Sequence, residues 1–93
     1  MEDMVRAHVI IAGRVQGVFF RLETQRAAER YGVSGWVRNK RDGTVEAVFE
    51  GDQTRVDSIL KWCQQGSPAA AVERVDLTWE EHTGEYPGFE ITY

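Results

Sequence analysis

The chain is poor in the features that most often announce a protein's chemistry. Its 93 residues hold one cysteine, Cys63. No intrachain disulfide can form, which fits a reducing compartment. There is no excess of positive charge: 11 Lys and Arg stand against 15 Asp and Glu, a formal net charge of -4. Binding along a nucleic-acid backbone needs a basic face, so nucleic acid is not an expected partner, though a local cationic pocket is still allowed. No apolar run approaches the roughly 20 residues of a membrane span. The opening "MEDMVRAHVIIAG" lacks the basic region and long apolar core of a signal peptide. A soluble, cytoplasmic protein with no membrane partner is the expectation. His8, His82 and Cys63 are far apart and show no ligand spacing, so no metal is expected. No repeat, low-complexity segment or linker divides the chain, and its length predicts one domain over residues 1–93.

Apolar periodicity then gives the order of elements. Val5, Ala7, Val9 and Ile11 alternate with Arg6 and His8, predicting a first strand over residues 5–12 with one buried face. In "RLETQRAAERYG", Phe20 just before it, Thr24, Ala27, Ala28 and Tyr31 recur at spacings of three and four, one face of a helix that Gly32 should end. "VSGWVRN" and "TVEAVFEG" read as strands joined through Asp42-Gly43, a hairpin signal because both residues tolerate positive φ. Asp52 is placed to cap a second helix whose Val56, Ile59, Leu60 and Cys63 share a face, with Gly66 and Pro68 beyond its end. "VERVDLTWEE" alternates Val75, Leu77 and Trp79, and "FEITY" is a short fifth candidate with Phe89, Ile91 and Tyr93. The order is β-α-β-β-α-β with a possible extra edge strand. Two helices cannot cover both faces of such a sheet, so they share one. That is the ferredoxin-like, split-βαβ α+β fold.

The segment "GRVQGVFFR", residues 13–21, does not serve the core in any obvious way. Gly13 and Gly17 are expected to bracket a turn whose amides point inward as a nest for an anion. The following helix starts near Phe19 or Phe20, and its first N–H groups lack internal partners. Arg21 falls in that first turn, where its charge opposes the helix dipole by about 0.3–1 kcal/mol if exposed. The residues alone leave two readings. Arg21 leans into solvent, or it shares a bound oxyanion with the helix end, its planar fork taking two oxygens. The spacing is neither that of a P-loop nor G-x-G-x-x-G, so mononucleotide binding is not the natural inference.

Taken together, "GRVQGVFFR" and "GWVRNKRDGTVEA" resemble the acylphosphatase family, small enzymes that hydrolyse the mixed anhydride of a carboxylic acid and phosphate. The resemblance runs on through "VERVDL" to "GFEITY", almost the whole chain. It implies that Arg21 grips the phosphoryl group and that the loop Val15, Gln16, Gly17, Val18, Phe19 and Phe20 cradles the same oxygens. It also implies that Asn39 holds the attacking water. Read without the resemblance, Asn39 before a hairpin is ordinary turn chemistry. No cofactor and no metal are implied. The expected partners are a small acyl phosphate and inorganic phosphate, with the chain a monomer. Arg14 adds positive potential, Lys40 and Arg41 are solvated turn residues, Trp36, Trp62 and Trp79 are packing residues, and Cys63 is a buried thiol. An RNA-binding domain of the same fold would carry aromatic residues on the third strand, but "TVEAVFEG" is acidic with Phe49 alone. In the resemblance, such domains also front larger maturation proteins for hydrogenases. A chain of this length without zinc-ligand cysteines favours a stand-alone enzyme.

Overall fold

The computed structural model describes residues 3–93. Its elements are β1 (Met4–Arg14), α1 (Phe20–Tyr31), β2 (Ser34–Asn39), β3 (Val45–Asp52), α2 (Gln53–Gln65), β4 (Ala71–Glu80) and β5 (Phe89–Ile91). The strands form one sheet in the order β4-β1-β3-β2-β5. β1 pairs antiparallel with both β3 and β4, β2 pairs antiparallel with β3, and β5 lies parallel to β2. The ferredoxin-like α+β sandwich is therefore present, and the optional fifth strand is real.

Ala7, Val9 and Ile11 of β1, Val37 of β2 and Val45, Ala47 and Phe49 of β3 are buried on the face that meets Phe20, Ala27 and Ala28 of α1 and Val56, Ile59 and Cys63 of α2. Packing this apolar layer out of water is the main stabilising term. Asp52 caps α2 as expected, its Oδ1 accepting the Arg55 N–H at 2.9 Å. Gly32 ends α1 with φ 72, its N–H pointing back to Ala28 and Glu29. Cys63 has no exposed surface, and burial pushes its thiol up to about 12.

Three details differ from the sequence reading. Gly13 does not open a turn. It lies within β1 at a β-bulge, where the pairing jumps from Ala12–Arg74 to Gly13–Val72. Its φ is 125, and a Cβ there would overlap the Ala71 carbonyl, so the glycine serves a close backbone approach. In the β2–β3 turn only Gly43 takes positive φ, and Asp42 instead accepts from the Thr44 N–H and hydroxyl. Those bonds hold the Asp42 carboxyl below its usual range. Lastly, Leu77 and Trp79 are 41% and 47% exposed rather than packed. β4 is an edge strand that packs against α2, and only its Val72 and Val75 are packed against the core.

The opposite sheet face is polar and cross-linked. The Glu50 side chain is 1% exposed and accepts from Thr83 N–H at 2.9 Å, Thr83 Oγ1 at 3.1 Å and Gly84 N–H at 3.0 Å, pinning the β4–β5 connection onto the sheet. Beside it, His8 Nε2 lies 2.7 Å from Glu46 Oε2, and Arg38 Nε donates to Glu46 Oε1 at 2.6 Å.

Candidate active site

The site lies where the parallel directions of β1 and β2 bring two strand ends to one side of the molecule. β1 ends at Arg14 and hands over through residues 15–19 to α1, while β2 ends at Asn39. A cavity of about 290 Å³ opens there. Val15, Gly17, Phe19, Phe20 and Arg21 line it from the loop and helix side, and Asn39 lines it from the strand side.

The loop is anchored by two apolar residues and one hydroxyl. Val15 and Phe20 are 1% exposed, and the Phe20 ring packs at a tilt on Trp62 with centroids 5.5 Å apart. Ser67 Oγ donates to the Val18 carbonyl at 2.9 Å, fixing the loop to the segment after α2. Gly17 takes φ 73. Phe19 takes φ 59 and ψ 23 at the start of α1 and offers no side-chain cap. The first amides of α1 therefore lack both intrahelical acceptors and a capping side chain, which leaves an electropositive helix end facing the cavity.

Neither polar side chain in the cavity is spoken for. Arg21 makes no ion pair among the described residues, and its guanidinium stacks over the Tyr93 ring at 5.3 Å. The Asn39 Oδ1 is buried and has no hydrogen-bond partner among the described residues. An orphaned buried acceptor costs about 1–3 kcal/mol, and such groups gather at functional sites. A cationic fork, free helix amides and an unused acceptor in one cavity suit an oxyanion with a donor molecule beside it.

Comparison with known proteins identifies what this arrangement belongs to. The family model described as acylphosphatase matches residues 7–91. An acylphosphatase of Roseiflexus sp. (strain RS-1) is 55% identical over 93 residues, covering 100% of both chains. The chain belongs to the acylphosphatase family. Another relative, the acylphosphatase of Pelotomaculum thermopropionicum, is 53% identical over 88 residues, 95% of this chain and 96% of its own. In structure, the acylphosphatase of Bacillus subtilis superposes with a TM-score of 0.92 at 34% identity, covering 96% of this chain and 99% of that one. The activity is accordingly that of a hydrolase acting on small acyl phosphates.

Within this acylphosphatase, the residues singled out in the sequence divide into two groups. Val15, Gly17, Phe19, Phe20, Arg21 and Asn39 meet at the cavity. Gln16 and Val18 do not line it. Gln16 instead reaches across to the β2–β3 turn, its Nε2 donating to the carbonyls of Lys40 at 2.7 Å and Thr44 at 2.8 Å. One side chain thus ties the loop to the turn that directly follows Asn39. Leu22, Ile91 and Tyr93 also line the cavity, and no sequence pattern singles them out. The usable signal was β5: its parallel pairing with β2 and the Thr92 N–H bond to the Val37 carbonyl bring the chain end beside Asn39. No helix among the described residues is long and apolar enough to cross a membrane.

Proposed function

We propose that this cavity binds the phosphoryl group of an acyl phosphate, with Arg21 and the amides of residues 15–20 around its oxygens and Asn39 orienting the attacking water. The observation that carries the reading is the convergence of groups left unpaired among the described residues: a guanidinium with no carboxylate partner, an uncapped helix start and an orphaned amide oxygen, all on one cavity.

The chemistry needs little more. A carboxylate is a good leaving group, so no strong general acid is required. Phosphoryl transfer depends on stabilising charge on the equatorial oxygens and on in-line placement of the nucleophile. The water oxygen bonds to phosphorus as the bond from phosphorus to the acyl oxygen breaks, and the electron pair leaves with the carboxylate. One water proton passes to a phosphoryl oxygen, because the neutral amide of Asn39 has no useful basicity. The products are a carboxylate and inorganic phosphate, and the latter competes for the same cradle. Arg21 opposes the helix dipole only until a dianion lies between them. With the dianion in place, guanidinium and helix end act together.

The test is hydrolysis of benzoyl phosphate in the presence of EDTA. Arg21→Lys should lose about 100-fold or more in kcat/KM while melting normally, because an ammonium cannot reproduce the bidentate fork. Asn39→Ala should lower kcat and leave inhibition by phosphate nearly intact. Full activity in Arg21→Lys, or a lost phosphate site with normal turnover in Asn39→Ala, would reverse the assignments.

A further inference from the structure

The reacting cavity has a neighbour on each side, and the two share different walls with it. On the strand side lies a cleft that shares Asn39 and Tyr93 and is otherwise lined by Arg38 of β2 and by Lys40, Arg41 and Asp42 of the turn. On the helix side lies a cavity of about 330 Å³ that shares Phe19 and Leu22 and continues over Val18, Pro68 and Ala69. In-line displacement distinguishes them. With the water held at Asn39, the leaving carboxylate must depart on the opposite side of phosphorus, away from the cationic turn. Of the two neighbours, the cavity beyond the Phe19–Leu22 wall is the one that adjoins the loop and α1 rather than the turn.

This wall has features that packing does not account for. Phe19 is the one non-glycine among the described residues with positive φ, and the residue is 76% exposed. A bulky residue in the left-handed region is strained, and here no burial of the ring offsets that strain. Leu22, one turn into α1, is also exposed, at 37%. The charges at the far edge of the cavity are already neutralised, since Arg26 Nη1 donates to Glu23 Oε1 at 2.8 Å. What remains is an apolar shelf that starts at the phosphoryl site and has no charge to offer.

We infer that Phe19 and Leu22 form an acyl-group subsite that selects acyl phosphates with an apolar or aromatic acyl chain over small ones. The inference rests on the phosphoryl site proposed above. The Phe19 ring provides a face for stacking, and the cavity beyond it accepts a chain of several carbons. The discrimination appears chiefly in KM, because the shelf touches the acyl group equally in ground and transition states.

The experiment compares acetyl phosphate and benzoyl phosphate in the wild type and in two variants at Phe19. Phe19→Gly removes the ring while keeping, and relaxing, the left-handed backbone. Phe19→Tyr keeps the ring. The wild type should favour benzoyl over acetyl phosphate in kcat/KM, and Phe19→Gly should shrink that ratio about five- to tenfold, mostly through a higher KM for benzoyl phosphate. Phe19→Tyr should hold the wild-type ratio. Comparing ratios cancels the intrinsic reactivities of the two anhydrides. An unchanged ratio in Phe19→Gly, with both substrates still hydrolysed, overturns the subsite and leaves the phosphoryl site standing. Hydrolysis of neither substrate by the wild type overturns both.

Discussion

Replacing Gln16 by methionine isolates the link between the two halves of the site. Methionine has nearly the same length and shape but cannot donate to the Lys40 and Thr44 carbonyls. Each of these carbonyls already accepts once within the turn, Lys40 from Gly43 N–H at 3.3 Å and Thr44 from Lys40 N–H at 2.8 Å. Losing Gln16 therefore costs two net hydrogen bonds rather than two stranded acceptors, about 2 kcal/mol in all. For a chain of this size that lowers the melting temperature by about 8–16 °C. The effect on catalysis is separate. On the proposed reading the loop holds phosphorus and the turn adjoins Asn39 at the end of β2, so slack between them displaces the water from the line of attack. Misplacement on the scale of an ångström is worth up to about 100-fold, and kcat should fall about 10- to 100-fold. Phosphate inhibition, which needs the loop alone, should stay within about threefold of wild type. Thermal melts, kcat for benzoyl phosphate and the phosphate inhibition constant, measured well below the lower melting point, separate these outcomes. If stability falls as calculated and kcat holds, Gln16 is a structural tie and the positioning argument is wrong. A matching loss of phosphate affinity would mean instead that Gln16 shapes the cradle itself.

Two further predictions concern the scaffold. Burial opposes charge on Glu50, but the Thr83 and Gly84 N–H groups and the Thr83 hydroxyl outweigh it and hold the carboxyl below its usual range. A depressed carboxylate contributes stability above its unfolded pKa and loses it as pH falls through the folded value. Glu50→Gln should therefore cost about 2–4 kcal/mol at pH 7, with the gap to wild type closing below about pH 4 in urea melts, whereas a gap constant down to pH 3 would refute the charged role. Gly35 has φ 136, and a Cβ there would overlap the Val48 carbonyl oxygen, while a Cβ at Gly51 would meet Val33 at an ordinary 3.4 Å. Gly35→Ala should lose more than about 2 kcal/mol and Gly51→Ala less than about 1, and equal thermal melts for the two would contradict the close approach.

The elements most legible in the sequence were those whose residues answer to local rules. The α2 helix has a capping Asp52, an apolar stripe and a terminal Gly66, and the structure agrees with each. Leu77 and Trp79 misled because alternation shows which face a residue takes and not whether a helix covers it. On edge strand β4 the cover runs out. Gly13 misled for a related reason: its freedom is spent against Ala71, 58 positions away in another strand, which no local pattern reveals. Asn39 was legible only through the family resemblance, because an asparagine before a turn is common for reasons unrelated to catalysis.

The violations of local rules all gather at one place. A left-handed Phe19 stands where a capping serine or aspartate would stabilise α1, and Arg21 follows in the turn that favours carboxylates. Asn39, at the end of β2, which runs parallel to β1, buries an oxygen with no donor among the described residues. Each is unfavourable on its own. On the proposed reading each becomes favourable when a phosphoryl dianion fills the helix end, a water donates to Asn39 and an acyl group covers Phe19. The site is therefore the least satisfied part of a fold that is otherwise locally consistent. Ligand binding should recover that deficit as stability, because phosphate binds the folded chain and not the unfolded one.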